Sequence, residues 1–231
     1  MIRLGLPPDG FYIPCPVFAE IDSLIRAYRS TDLLPDVWMS GECVICKNGG
    51  RIMISGKVEN TEELLEFLSV IGYSEIFCPK EIADALGLEG TKRTVLYTRG
   101  LPDKAFSWED ISLEGLYKKL SFGNDGDLSL PDFCDFAADV SHRMRHSAAA
   151  AYLHTFGAGL AFMGRRSCVI CGVAVDGKFR GQGVGKRIVD ELCRYAKGDI
   201  FVCADKDNTN FYKKCGFEEK SEVVTIKKED F

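Results

Sequence analysis

Apolar residues follow two different periods along the second half of the chain. Ile188, Val189, Leu192, Cys193 and Ala196 fall on one face of a helix, which predicts a helix over residues 186–197. Short apolar runs between glycines and charged residues predict strands. The predicted order is a helix (131–146), a hairpin (149–155 and 159–162, turning at Gly157 and Ala158), a strand (168–175), the 186–197 helix, a strand (199–204), a short helix at Asn208 and a strand (222–227).

The first half repeats this order in weaker form. Asn60, with Glu63 three residues later, has the spacing of a helix-capping box, and Gly87 is placed to end a second helix. These signals predict strands at 41–47 and 51–55, a helix after Asn60, a strand at 75–78, a helix at 80–86 and a strand at 94–99. We hypothesise a degenerate tandem copy, with domains at 1–105 and 106–231. The alternative is an unrelated α/β cap.

A glycine-rich loop connects the 168–175 strand to the following helix. Gly181, Gly183 and Gly185 permit a sharp turn, so the unpaired N–H groups at the helix N-terminus can converge on phosphate oxygens, with Arg180 and Lys186 adding positive charge. The spacing fits neither the dinucleotide fingerprint G-x-G-x-x-G nor the P-loop G-x-x-x-x-G-K-[ST]. It reads R-x-x-G-x-G.

This loop resembles the pyrophosphate loop of the GNAT superfamily of acyl-CoA-dependent N-acetyltransferases. Residues 207–217 are similar to that family's N-x-x-F-Y-x-K-x-G-F segment, matching at Asn208, Phe211, Tyr212, Lys214, Gly216 and Phe217. The alternative is an ordinary α/β protein in which Gly216 simply ends a short helix.

The resemblance implies an α/β (α+β) fold of the GNAT type, with a mixed, mostly antiparallel sheet flanked by helices. It implies acetyl-CoA as cofactor, with pantetheine in the gap between two splayed parallel strands. Tyr212 matches the position that donates a proton to the leaving sulfur; otherwise it packs against the cofactor. The cofactor-binding positions carried over are Val173, Ala174, Val175, Arg180, Gly181, Gln182, Gly183, Val184, Gly185, Lys186, Asn208 and Phe211, with an N–H near Val173 holding the thioester carbonyl.

The expected reaction is direct attack of a primary amine on acetyl-CoA. The general base is open, with Asp205, His142, His146 and His154 as candidates. The acceptor is also open, whether a small molecule or a protein amine. The alternative function is a non-catalytic acyl-CoA sensor. The first half lacks the loop, having Ser55-Gly56-Lys57-Val58-Glu59-Asn60 instead, and is expected to cover the acceptor site or act as scaffold.

Composition and charge narrow the remaining classes. The net charge of −5 divides into +4 for residues 136–231 (16 Lys+Arg, 12 Asp+Glu) and −9 for residues 1–135 (13 against 22), so the basic half carries the phosphate loop. Basic residues there are mixed with acids, which disfavours nucleic acid as a partner. No secretory signal or membrane segment is evident, so we expect a cytoplasmic protein. We expect it to be a monomer or a homodimer.

The ten cysteines include two Cys-Val-Ile-Cys runs, Cys43/Cys46 and Cys168/Cys171. Both runs are strand-like, and side chains at i and i+3 of a strand point to opposite faces. We therefore expect reduced thiols, mostly buried, and no metal site.

Overall fold

A single 11-stranded sheet runs through both halves of the chain in the computed structural model, which describes residues 1–122 and 130–228. The strands are β1 (Arg3–Leu4), β2 (Asp36–Ser40), β3 (Cys43–Asn48), β4 (Arg51–Ser55), β5 (Glu75–Pro79), β6 (Thr91–Gly100), β7 (Ala149–His154), β8 (Gly157–Met163), β9 (Ser167–Val175), β10 (Gly198–Ala204) and β11 (Glu218–Lys227). The helices are α1 (Pro16–Tyr28), α2 (Thr61–Ile71), α3 (Lys80–Leu86), α4 (Leu113–Phe122), α5 (Phe133–Arg145), α6 (Val184–Tyr195) and α7 (Thr209–Lys214).

The predicted fold class is confirmed. Among the described residues, the sheet is parallel at β4/β5 and β9/β10 and antiparallel at every other pairing. Helices α1, α4 and α5 cover one face of the sheet, and α2, α3, α6 and α7 cover the other. The apolar face of α6 that the sequence indicates, including Ile188, Val189 and Leu192, is buried against the sheet.

The repeated order of elements is present in both halves. The series β3, β4, α2, β5, α3, β6 corresponds to β8, β9, α6, β10, α7, β11, and each series contains one parallel pair flanking its first helix. Asn60 caps α2 as predicted, with its Oδ1 accepting from the Glu63 N–H at 3.0 Å, and Gly87 ends α3 in a left-handed conformation. The first half is therefore a second copy of the fold, and the boundary at 105/106 stays a prediction.

The two copies exchange their last strands. The sheet order is β1-β2-β3-β4-β5-β11-β6-β10-β9-β8-β7, so the last strand of the second half, β11, pairs with β5 of the first half. Likewise the last strand of the first half, β6, pairs with β10 of the second half over seven residue pairs from Gly198↔Gly100 to Ala204↔Thr94. Each half thus completes the sheet of the other.

Helix α1 reinforces this junction. Although it belongs to the first half, it packs on β8 and β9 of the second half. Ser23 Oγ donates to the Ala148 carbonyl oxygen at 2.8 Å and accepts from Arg143 Nη1 at 2.9 Å. The Arg165 backbone N–H donates to Asp22 Oδ2 at 2.6 Å. No pattern in the sequence analysis predicted this helix.

The predicted turn at Gly157 and Ala158 is wrong. The hairpin turns at Thr155 and Phe156, and β8 begins at Gly157. The glycines of β8 serve close packing instead: a Cβ on Gly159 would lie 2.5 Å from Ile188 Cγ2 and 2.8 Å from Leu192 Cδ1. They allow α6 to lie directly on the sheet.

The paired cysteines lie on opposite faces of the sheet, as expected. Cys43 packs in the core beneath α2 and α3, whereas Cys46 packs in the core beneath α1. Cys168 and Cys171 divide between the two faces in the same way. Neither pair can close on one ion from these positions.

The described part of the chain has neither a metal-binding cluster nor a helix that could span a membrane. In residues 1–122 and 130–228, no group of three or more His, Cys, Asp or Glu side chains is placed to hold a metal ion. Within the same ranges, no helix has the length and apolar character needed to cross a membrane.

The strand exchange predicts that the halves do not fold separately. Fragment 1–105 would lack β11 beside β5, and fragment 106–231 would lack β6 beside β10, so each would expose unpaired strand edges. We expect each fragment alone to show no cooperative thermal unfolding by circular dichroism, and an equimolar mixture to recover it. A fragment that unfolds cooperatively as a monomer would contradict the prediction.

Candidate functional site

The site begins where the parallel strands β9 and β10 part. Their pairing covers only Ser167↔Asp199 to Ile170↔Val202. On the other side of β9 the register with β8 shifts so that Cys171 has no partner, which makes it the extra residue of a β-bulge. Because a bulge bends its strand, β9 leaves β10 here and opens a cleft.

The glycine loop lies at the mouth of this cleft. Gly181 and Gly183 have φ of +76° and +83°, a left-handed conformation that favours glycine. Gly183 caps α6 with no side-chain hydrogen bond, and the first turn of α6 has no acidic residue. Its free backbone N–H groups and the positive end of the helix dipole therefore form an anion cradle.

The corresponding position in the first half is closed. The N-terminus of α2 is capped by the Asn60 side chain, and its first turn carries Glu62 and Glu63. The small cavity beside it has a volume of about 10 Å³. A capped, acidic helix end does not attract phosphate, so the phosphate cradle of the described fold is on α6.

A cavity of about 630 Å³ extends from the loop into the cleft. Most of the predicted site residues line it, namely Val173, Val175, Arg180, Gly181, Gly183, Gly185, Lys186, Asn208, Phe211 and Tyr212. Three other predicted residues lie outside its lining: Ala174 is buried under α4, Gln182 bonds back to the Lys178 carbonyl oxygen at 3.2 Å, and Val184 packs into the core under α6.

Contacts hold the loop against the strand it follows. Arg180 Nε donates to the Val175 carbonyl oxygen at 3.3 Å, and Lys186 Nζ pairs with Asp190 at 3.2 Å one turn along α6. A Cβ on Gly185 would lie 3.1 Å from Phe211 Cζ. The two motif segments are therefore packed together at one end of the cavity.

Tyr212 projects into the cavity from α7 and is only 8 % exposed. Burial raises the pKa of its phenol, and the nearby thiols of Cys215 and Cys203 and the Asp205 carboxylate raise it further. The phenol is therefore neutral at physiological pH and carries a proton there.

The candidate bases separate into two groups. Asp205 lies in the cavity wall at the end of β10. The histidines lie elsewhere: His142 Nε2 contacts the Ala27 carbonyl oxygen at 2.9 Å with its ring stacked on Tyr28, His146 packs against His142, and His154 Nδ1 accepts from the Phe156 N–H. Of these four candidates, only Asp205 lines the cavity.

The structure adds cavity residues that carried no sequence signal. Cys171 and Cys203 follow the last residue pair of β9 and β10 and line the cavity, and Arg93 reaches it from β6. A single arginine in a strand resembles an ordinary solvent-facing residue, and its position beside β10 arises only through the strand exchange.

The arrangement suits an anionic ligand. A parallel strand pair that parts at a bulge has an uncapped helix N-terminus at its mouth, and such a helix end binds phosphate groups. Residues 116–217 match the model of the Acetyltransferase (GNAT) family. This part of the chain is a domain of the GNAT acetyltransferase family.

Comparison with individual proteins agrees with this assignment. A 53-residue stretch is 40% identical to glucosamine 6-phosphate N-acetyltransferase 1 of Oryza sativa subsp. japonica, covering 21% of this chain and 32% of the rice protein. The match thus spans about a third of that relative's length.

Solved structures share the fold over nearly the whole chain. A GCN5-related N-acetyltransferase from Kribbella flavida superposes with a TM-score of 0.64 at 14% identity, covering 93% of this chain and 95% of its own. A tandem GNAT protein from the clavulanic acid biosynthesis pathway superposes with a TM-score of 0.54 at 11% identity, covering 97% of both chains. At such identities the likeness concerns the fold alone, here a tandem one.

The close packing of α6 on β8 predicts the effect of Gly159→Ala. The added Cβ meets the branched side chain of Ile188, which has little rotamer freedom in a helix, so α6 must lift from the sheet. We expect a loss of about 1–3 kcal/mol in the free energy of unfolding, measured by urea denaturation. Gly177→Ala is the matched control, because a Cβ there has no heavy atom within 4 Å. Equal stability of the two variants would refute the packing argument.

Proposed function

We propose that the chain is an N-acetyltransferase that uses acetyl-CoA and transfers the acetyl group to a primary amine by direct attack. The observation that carries this proposal is the left-handed Gly181–Gly183 turn before the uncapped helix α6, opening on the cleft between β9 and β10. Membership of residues 116–217 in an acetyltransferase family supports it.

The cavity residues fit the parts of acetyl-CoA. The N–H groups at the start of α6, with Arg180 and Lys186, would hold the diphosphate. The edge of β9 over Val173–Val175, which has left β10, offers backbone groups to the amide-rich pantetheine arm. Acetyl-CoA supplies a thioester, whose carbonyl carbon the amine attacks.

The reaction also requires two proton transfers, one to the leaving sulfur and one from the ammonium group of the acceptor. Tyr212 Oη holds a proton at neutral pH and lines the cavity, so it would donate this proton to the departing sulfur, whose conjugate acid has a pKa of ~8.5. Asp205, at the same end of the cavity, would accept a proton from the ammonium group of the acceptor, which frees the neutral amine to attack. Buried or half-buried reduced thiols such as Cys168 and Cys203 support a cytoplasmic location.

Calorimetric titration with acetyl-CoA tests the cofactor assignment. Arg180→Glu replaces a positive charge beside the phosphate cradle with a negative one, so we expect its acetyl-CoA affinity to fall at least about 10-fold. Lys197→Glu makes the same charge change in an exposed residue just beyond the far end of α6 and should leave affinity unchanged. Failure of the parent protein to bind acetyl-CoA would overturn the proposed function.

Tyr212→Phe tests catalysis separately from binding. We expect kcat to fall about 100-fold, because the leaving sulfur loses its proton donor, with the dissociation constant for acetyl-CoA unchanged. Because the raised pKa keeps the phenol protonated, Tyr212 should cause no loss of rate between pH 6 and pH 9. Release of free CoA thiol is the measurement.

Tyr152→Phe is the matched control, since Tyr152 lies on β7 outside the cavity. A Tyr212→Phe enzyme with normal kcat would refute the proton-donor role. A parent protein that binds acetyl-CoA but acetylates no amine would instead support the sensor.

A further inference from the structure

One wall of the cavity comes from the first half of the chain. Arg93 on β6 lines the cavity beyond the end of β10, whose last residue, Ala204, pairs with Thr94. Its guanidinium lies on the face of the sheet that carries α1, with Nη2 donating to Thr225 Oγ1 at 3.1 Å and the group 6.0 Å from the ring centre of Phe77. The phosphate cradle on α6 lies on the opposite face.

The ion pairing of Arg93 differs from that of its neighbour Arg51. Arg51 lies 4.7 Å over the same Phe77 ring and is paired with two carboxylates, Glu20 at 2.6 Å and Glu75 at 2.9 Å. Across residues 1–122 and 130–228, no carboxylate forms an ion pair with Arg93. A half-buried guanidinium with one neutral hydrogen-bond partner has N–H donors available for an anion.

Arg93 is placed at the acceptor end of the reaction path. Cys171 and Cys203, where β9 and β10 part, line the same cavity and point to the same face as Arg93. An amine that approaches the thioester through this gap comes from the α1 face, because the loop and α6 occupy the other. The remainder of such an acceptor would lie beside Arg93.

We propose that Arg93 binds an anionic group of the acceptor, so that the substrate is a small primary amine carrying a carboxylate or a phosphate. This rests on the proposed acetyl transfer and adds the substrate class. The planar guanidinium suits either anion, since both present two oxygens to its paired N–H donors.

Steady-state kinetics with matched amines tests the proposal. Amino acids are compared with their amides, and amino-sugar phosphates with the parent amino sugars, which also separates carboxylate from phosphate. We expect the wild-type enzyme to prefer the anionic member of at least one pair by about 10-fold or more in kcat/KM. Arg93→Met should raise KM for that member by about 10- to 100-fold and leave its neutral counterpart unchanged. The KM of Arg93→Lys for the anionic member should lie between those of the wild type and of Arg93→Met.

Two controls separate recognition from folding. Arg99→Met removes an exposed arginine from the same strand and should have wild-type kinetics. Acetyl-CoA titration of Arg93→Met should give the wild-type dissociation constant.

The outcomes distinguish the two proposals. No acetyl-CoA binding by the wild type overturns the proposed function and this inference with it. Normal acetyl-CoA binding with turnover of neutral amines but of no anionic amine overturns this inference alone. So does equal use of neutral and anionic amines, or an equal effect of Arg93→Met on both.

Discussion

The parting of β9 from β10 is the constraint on which the site depends. Parallel strands that remain paired satisfy one another's backbone groups and leave no room between them. Here the extra residue at Cys171 ends the pairing after Ile170↔Val202, and the backbone beyond it faces a cavity. The sheet lacks backbone pairing between β9 and β10 at this position. The glycine loop, Tyr212 and Arg93 all line the opening that results.

The two halves differ at the N-terminus of the helix that follows the first parallel strand. In both halves a helix follows the first strand of the parallel pair along the chain. Helix α2 is capped by the Asn60 side chain and has two acidic residues in its first turn. Helix α6 is capped by Gly183, without a side-chain hydrogen bond and without an acidic residue in its first turn. The difference lies in a few residues at one helix end. The side-chain cap satisfies a backbone N–H of α2, and the equivalent groups of α6 are left for a ligand.

Local signals in the sequence were sufficient for much of the fold. The bounds of α3, the Asn60 cap and the repeated element order follow from helix periodicity and capping chemistry, which act over a few residues. The role of Gly157 does not follow from the sequence, because the same residue type serves a turn or a close helix contact and only the tertiary structure decides between them. The motif residues Gly183, Phe211 and Tyr212 were identified because the phosphate loop and α7 are continuous segments.

Local sequence patterns do not predict the strand exchange. A strand such as β6 has the same alternation whether it pairs with its own half or with the other, so nothing local distinguishes the two arrangements. The exchange nevertheless decides which side chains reach the cleft: with β6 beside β10, Arg93 belongs to the cavity of the second half. The first half, whose corresponding helix end is capped, thereby contributes a positive charge to the cavity wall opposite the glycine loop. This gives the degenerate copy a physical place in the site, because removing it would take away both the partner strand of β10 and that charge.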